Sequence, residues 1–101
     1  MIYDIAIIGA GIVGASTAYQ LLSSNDQLKI IVLDKEDQPA LHQTGHNSGV
    51  MHSGIYYKPG SYKALNCNRG YNLLTAYCEQ KKIPFKKIGK LILFTHKAEL
   101  N

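Results

Sequence analysis

Three glycines and one aspartate near the amino terminus have the types and the spacing that bind a dinucleotide. Gly9, Gly11 and Gly14 form a G-x-G-x-x-G pattern, and an aspartate, Asp34, follows twenty residues later. Gly9 permits a tight turn, Gly11 lets a pyrophosphate approach the backbone, and Gly14 lets a helix pack closely on a strand. Free N–H groups at the start of that helix favour the phosphates. Asp34 can accept hydrogen bonds from both ribose hydroxyls of an adenosine, so the pattern predicts FAD or NAD.

The residue at position 34 also bears on which nucleotide binds. Its carboxylate repels a 2′-phosphate, which argues against NADP, although the neighbouring Lys35 weakens this argument slightly. We include Lys35 among the predicted cofactor contacts, together with Ile12 and Val13 inside the glycine pattern. The competing interpretation is a glycine turn without a ligand, because the pattern alone is a weak signal.

The elements that must position these residues form one βαβ unit. Residues 2–8 are a short apolar run that ends at a glycine, which predicts a buried parallel strand. Residues 12–24 predict a helix with a stripe of small side chains, and residues 28–33, rich in β-branched side chains, predict a second strand. Their combined length is typical of a βαβ unit, so the predicted fold class is α/β.

A second motif lies in the following segment, residues 35–60, which has no helical or strand period. A loop of this length inside a compact domain is usually functional. It contains the run Gly-His-Asn-Ser-Gly-Val-Met-His-Ser-Gly-Ile-Tyr-Tyr over residues 45–57. An NAD-binding domain would normally continue with another helix and strand soon after Asp34, so this loop favours FAD.

The run, taken with the βαβ unit, resembles the FAD-dependent oxidoreductases of the D-amino-acid oxidase and glycerol-3-phosphate dehydrogenase superfamily over essentially the whole chain. Within that superfamily it is most similar to the L-2-hydroxyglutarate oxidases and dehydrogenases. One departure is Asp34, where flavin enzymes more often have Glu, but the carboxylate is kept. The resemblance implies a Rossmann-type FAD-binding domain and a small-molecule 2-hydroxy acid substrate, whose Cα hydride passes to flavin N5 while a base takes the hydroxyl proton.

The resemblance also implies that the segment around residues 46–54 runs past the flavin. Glycines there would let the backbone approach the cofactor, and the polar side chains would contact it. The predicted contacts are Gly45, His46, Asn47, Ser48, Gly49, His52 and Gly54. His46 and His52 are the candidates for a catalytic role in holding negative charge on reduced flavin. A purely structural role for both histidines is the competing interpretation.

The histidines do not predict a metal site. His42 and His46 have a ligand spacing only if they lie on a helix, and Gly45 between them argues for a loop. No cysteine or carboxylate lies beside them in the sequence, so we expect no metal.

Charge is unevenly distributed along the chain, with a net charge of −3 for residues 1–50 and +7 for residues 51–101. The basic residues gather in residues 81–97, which predicts a solvated face. The only aromatic side chains interleaved with them are Phe85 and Phe94, and no nucleic-acid-binding motif accompanies them, so we expect no nucleic-acid binding. Attraction of an anionic substrate or partner is the remaining alternative.

The carboxyl-terminal half predicts a helix and a strand. A helical stripe over residues 61–80 contains Ala64, Cys67, Tyr71, Leu74 and Cys78. The two cysteines are too far apart on one helix to form a disulfide, so we expect both to be free. Residues 89–95 predict a strand, followed by a turn and the start of another helix over residues 96–101.

The expected organisation follows from the superfamily, whose members are several times longer than this chain. Residues 1–80 are expected to form a partial FAD-binding domain, and residues 81–101 to begin a truncated substrate domain. On this interpretation the chain is an amino-terminal fragment that is inactive alone. The alternatives are a relative of the amino-acid or glycerol-3-phosphate oxidases, and a non-catalytic nucleotide-binding remnant.

The uncharged stretch over residues 5–25 bears on the cellular location of the protein. Its glycines and polar residues argue against a membrane span, and no Lys or Arg precedes it as in a signal peptide. We therefore expect a cytoplasmic protein. The electron acceptor and any peripheral association of the whole enzyme with a membrane stay open.

Overall fold

The structure, a computed structural model, describes residues 1–93 and 95–97. Its elements are, in order, β1 (Ile5–Ile8), α1 (Ile12–Ser24), β2 (Ile30–Leu33) and α2 (Tyr62–Lys81). The chain divides into two compact units, of which the first is Met1–Val50 and the second begins at Met51. Neither helix among the described residues is long and apolar enough to cross a membrane.

The first unit is a βαβ arrangement. Strands β1 and β2 pair in parallel with Ile5 opposite Ile30, and α1, which connects them, packs on both. The backbone N–H of Asp4 donates to the carbonyl of Lys29 at 2.9 Å, and the Lys29 N–H donates to the Asp4 carboxylate at 2.8 Å. This exchange holds the beginnings of the two strands together. The predicted α/β class is confirmed.

Both strands are shorter than the sequence predicted, and β1 is covered on one face only. Ile5 and Ile7 are half-buried, whereas Ala6 and Ile8 are exposed, with Ile8 80% exposed. The prediction of a fully buried strand is therefore wrong for this structure. A parallel strand is buried on both faces only where a layer of helices covers each face, and α1 is the one helix of this unit.

Helix α1 spans the predicted residues, which confirms residues 12–24 as a helix. It begins after Gly11, and its first turn contains no acidic residue that would compete with an anionic ligand. The hydroxyl of Ser24 donates to the carbonyl of Gln20 at 2.9 Å, and Asn25 closes the last turn. Its half-buried face consists of Gly14, Ala18 and Leu21, and Gly11 directly before the helix is also half-buried.

The second unit is built around α2. The hydroxyl of Ser61 accepts the N–H of Ala64 at 3.3 Å, and the helix ends at Lys81, after which Lys82 has a φ of +56°. The inward face consists of Ala64, Cys67, Tyr71, Thr75 and Cys78. This confirms the predicted stripe except at Leu74, which is exposed, and both cysteines are free. Cys78 is the one buried residue in the described part of the chain.

The predicted loop over residues 35–60 contains neither helix nor strand and is confirmed. The predicted strand over residues 89–95 is not: the described residues 89–93 form no strand, and Phe94 lies outside the described residues. A strand must pair its N–H and C=O groups with a neighbour, and the described part of this unit offers none. The predicted helix start beyond Lys97 also lies outside the described residues, and the expected boundary at residue 80 stays a prediction.

Candidate functional site

The glycine loop between β1 and α1 has a backbone that only glycine accommodates easily. Gly9 has a φ of +103°, and its N–H donates to the carbonyl of Leu33 at 2.7 Å. A Cβ on Gly14 would overlap the carbonyl oxygen of Gly9. Any side chain at position 14 would therefore push the first turn of α1 away from the loop. The loop holds the start of α1 beside the end of β2.

Asp34, directly after β2, is connected to this loop through its carboxylate. Its Oδ2 accepts the N–H of Ala10 at 2.6 Å, and its Oδ1 accepts the N–H of Glu36 at 3.0 Å. These bonds lower the pKa of Asp34 below its ordinary value, and the bond from Ala10 contributes most. A carboxylate oxygen has two lone pairs, so each oxygen can accept one further hydrogen bond, such as one from a ribose hydroxyl.

Thr44 meets the amino terminus of α1 from the loop that follows β2. Its Oγ1 accepts the N–H of Ile12 at 3.0 Å, and a Cβ built on Gly11 would lie 3.1 Å from the same oxygen. The first amides of a helix have no partner within the helix, so Thr44 caps one of them. Its own hydroxyl proton remains free to donate to an anion.

Thr44 was not among the site residues predicted from the sequence. The only available signal was a hydroxyl-bearing residue in the polar loop after Asp34, and such residues are common in loops. Its contact with Ile12 spans 32 positions of the chain. No local pattern reveals a contact over that separation.

A cleft of about 160 Å³ opens beside the carboxylate of Asp34. Its lining consists of Gly11, Asp34, Ala40, Leu41, His42, Gln43 and Thr44. A shallower depression next to it is lined by Leu41, His42, Gln43 and His46. The two share three residues, so the concave surface continues from the glycine loop along the segment after β2.

Within this segment, His46 and Asn47 make bonds that shape the loop itself. His46 Nδ1 lies 2.9 Å from the carbonyl of His42, and since a carbonyl only accepts, Nδ1 carries the proton and donates. The amide of Asn47 donates to the carbonyls of Gln43 and Thr44 at 2.9 and 2.8 Å. Its Oδ1 accepts the N–H of Gly49 at 2.7 Å.

The other predicted contacts of the first unit are placed as follows. A Cβ on Gly45 would lie 2.6 Å from the carbonyl oxygen of Ala40, so the loop requires glycine there. Lys35 is a largely exposed side chain whose Nζ lies 3.9 Å from Glu36 Oε1. Ile12, Val13 and Ser48 are exposed.

His52 and Gly54 belong to the second unit, where both lie against Cys67. The carbonyl of His52 accepts the Sγ–H of Cys67 at 3.4 Å. Gly54 has a φ of +73°, and a Cβ there would lie 2.7 Å from Cys67 Sγ. Packing within the unit therefore explains the glycine at position 54, and a contact with flavin stays a prediction for both residues.

The residues of the first unit fit the ADP part of a dinucleotide. A glycine with positive φ, a helix start free of acidic residues, an ionised carboxylate and a hydroxyl lie around one cleft. These are the groups that pyrophosphate and ribose require.

Comparison with known proteins agrees with this geometry. A family model described as FAD dependent oxidoreductase matches residues 4–101. The L-2-hydroxyglutarate dehydrogenase of Indibacter alkaliphilus is 48% identical over 99% of this chain and 25% of its own length. The mitochondrial L-2-hydroxyglutarate dehydrogenases of Dictyostelium discoideum and Homo sapiens are 52% and 53% identical over 97% of this chain. They are covered over 22% and 21% of their own lengths. The chain thus spans about a quarter or less of the curated relatives it matches.

The comparison also corrects the predicted cytoplasmic location. The eukaryotic relatives from Dictyostelium discoideum, Caenorhabditis elegans and Homo sapiens are named mitochondrial, while the bacterial relative carries no such word. The prediction was wrong because the lack of a signal-peptide pattern bears on one export route and does not specify a compartment. The match of the family model over residues 4–101, on a βαβ unit with this glycine loop and carboxylate, shows that the chain belongs to the FAD-dependent oxidoreductases.

Proposed function

We propose that the first unit binds the ADP part of FAD in the cleft beside Asp34. The observation that carries the proposal is the convergence of the glycine loop, the start of α1 and the Asp34 carboxylate on that cleft. The family is FAD dependent, which favours FAD over NAD as the dinucleotide.

In this proposal each group has a separate task. The amides at the start of α1 bind the pyrophosphate, and the Thr44 hydroxyl, which already accepts from Ile12, donates its proton to a phosphate oxygen. Asp34 accepts from the ribose hydroxyls with the lone pairs that Ala10 and Glu36 leave free. FAD, when bound, supplies the two-electron acceptor of the reaction.

For the flavin end, we propose His46 as the residue of the first unit best suited to face the cofactor. Its Nδ1 is engaged by the carbonyl of His42, so Nε2 is the nitrogen left for a ligand. Asn47 and Gly45 serve the internal bonding and close packing of the loop, and their contacts with FAD stay predictions from the sequence. Gly49, Ser48, His52, Gly54 and Lys35 stay in the proposed set as predictions from the sequence.

For the whole protein, we propose the oxidation of L-2-hydroxyglutarate to 2-oxoglutarate. The support is the identity of about half of the residues to relatives that bear the name L-2-hydroxyglutarate dehydrogenase. The matched region is a quarter or less of the length of those relatives.

Ligand competition tests the cofactor proposal. The chain is titrated with FAD, and ADP and FMN are then added as competitors. We expect ADP to displace FAD and FMN to have little effect, because the described cleft offers groups for the ADP part. NADP should bind more weakly than NAD, since its 2′-phosphate would meet the Asp34 carboxylate. Displacement by FMN with no effect of ADP would contradict the placement.

The substrate proposal needs a separate measurement on the whole protein. Anaerobic mixing of the flavin-loaded protein with L-2-hydroxyglutarate should bleach the flavin absorbance, and the D-enantiomer serves as the matched control. Bleaching by a 2-amino acid or by glycerol 3-phosphate, without bleaching by L-2-hydroxyglutarate, would assign the protein to another branch of the family.

A further inference from the structure

The side chains of Glu36 and His42 form a hydrogen bond across the segment that lines the cleft. Nε2 of His42 lies 2.9 Å from Oε1 of Glu36, with the two side chains 58% and 35% exposed. Lys35 Nζ approaches the same oxygen only to 3.9 Å. The close contact of Glu36 is therefore with His42, six residues further along the chain.

His42 lies between two attachments of its segment to the glycine loop and the start of α1. On one side, the N–H of Ala40 donates to the carbonyl of Ala10 at 3.2 Å. On the other, Thr44 Oγ1 accepts the N–H of Ile12 at 3.0 Å. In the sequence His42 is midway between positions 40 and 44, and its side chain contacts Glu36, three residues after the end of β2.

The backbone of His42 adds to this connection. Its carbonyl accepts the N–H of Gly45 at 3.1 Å and Nδ1 of His46 at 2.9 Å. A displacement of His42 would therefore move the turn that follows it. Thr44 lies inside that turn, so its hydroxyl would move with it.

We propose that His42, held by Glu36, is a positioning residue that places the Thr44 hydroxyl on the first amide of α1 and shapes the cleft for the ADP part of the cofactor. This inference rests on the proposed function, since it concerns the same cleft. It assigns to His42 no contact with a reacting atom. The contact between Glu36 and His42 is partly exposed and adds little to global stability, so its effect is local to the segment that carries Thr44.

Conservative variants distinguish a positioning role of His42 from a general loss of structure. His42→Ala removes the bond to Glu36, whereas His42→Gln places an amide N–H donor at a similar distance from the backbone. Glu36→Gln keeps the accepting oxygen, and Glu36→Ala removes it. Asp37→Ala, an exposed carboxylate beside Glu36, is the matched control.

The affinity of the 101-residue chain for FAD is measured for each variant and for the Glu36→Ala/His42→Ala double variant. We expect His42→Ala and Glu36→Ala each to weaken binding about fivefold, and the double variant to bind no worse than either single one. His42→Gln, Glu36→Gln and Asp37→Ala should stay within about twofold of the unaltered chain. Additive losses, or no loss in His42→Ala while FAD still binds, would overturn the inference.

A second readout requires no cofactor. Hydrogen exchange of the Ile12 amide, followed by NMR in the ligand-free chain, reports whether Thr44 still caps it. Exchange should accelerate in His42→Ala and return toward the original rate in His42→Gln, and equal exchange in all variants would contradict the inference. If the chain binds neither FAD nor ADP yet shows this pattern, the proposed function fails and the positioning role of His42 stands.

Discussion

The amide of Ala10 donates a hydrogen bond of 2.6 Å to Oδ2 of Asp34, across 24 positions of the chain. The bond joins the glycine loop after β1 to the residue that follows β2. It also holds the carboxylate ionised at the edge of the cleft, because a bond from a backbone N–H favours the charged form. One contact thus orients the side chain and favours its charged form.

The bond from Ala10 predicts how stability depends on pH. The pKa of Asp34 in the folded chain lies below the ordinary value of 3.8, so the folded state binds the proton less readily than the unfolded state. The stabilisation is therefore fully present above that ordinary value and is lost as the pH falls through the lowered pKa. A carbon NMR titration of the Asp34 carboxyl group should show the lowered pKa.

The variant Asp34→Asn tests the same pH dependence, because its amide has one accepting oxygen where the Asp34 carboxylate has two and it does not ionise. We expect it to lose the acid-dependent part of the stability and to bind FAD about tenfold more weakly or worse. Asp37→Asn, an exposed neighbour, is the control and should retain both properties. An ordinary pKa at Asp34 would show that the Ala10 bond does not form in solution.

Gly14→Ala should destabilise the first unit. The added Cβ would overlap the carbonyl oxygen of Gly9, and backbone must move to relieve the overlap. We expect the free energy of unfolding, measured with urea, to fall by about 1–3 kcal/mol. Gly70→Ala is the matched control, since a Cβ there meets nothing within 4 Å and a helix interior favours alanine. It should raise helix stability by about 0.5–1 kcal/mol, and equal losses in both variants would argue against the observed packing at Gly14.

Thr44→Val keeps the shape of the side chain and removes the hydroxyl. The Ile12 amide then loses its cap, and a phosphate loses a donor. We expect FAD binding to weaken by about tenfold. Thr44→Ser retains the hydroxyl and should preserve most of the affinity, so titration of both variants separates the hydroxyl from the methyl group. Equal losses in the two variants would assign the effect to packing.

Gly54→Ala tests the second unit. A Cβ there would lie 2.7 Å from Cys67 Sγ, at a φ of +73° that disfavours any side chain. We expect a lower melting temperature for the variant. Combining it with Cys67→Ala should recover part of the loss by removing the sulfur, whereas the strain of the positive φ remains. No recovery would mean that backbone strain alone accounts for the effect.

The sequence predicted local elements better than those that depend on a distant partner. Helix α1 runs over the predicted residues because its start and end signals, a glycine and a Ser-Ser-Asn cluster, lie within the segment. The strand predicted over residues 89–95 does not form in the described residues 89–93, since a strand depends on a neighbour that local periodicity does not supply.

The sequence by itself determined the glycine pattern and the carboxylate after the second strand, because both follow from residue types at set spacings. It also determined that the chain belongs to the FAD-dependent oxidoreductases. Only the tertiary structure decided that Thr44 meets the start of α1 and that Glu36 holds His42. Many polar residues of the loop could make such bonds. The folded path of the backbone decides which of them do, because a hydrogen bond requires two groups to lie within about 3 Å of each other, whatever their separation in the sequence.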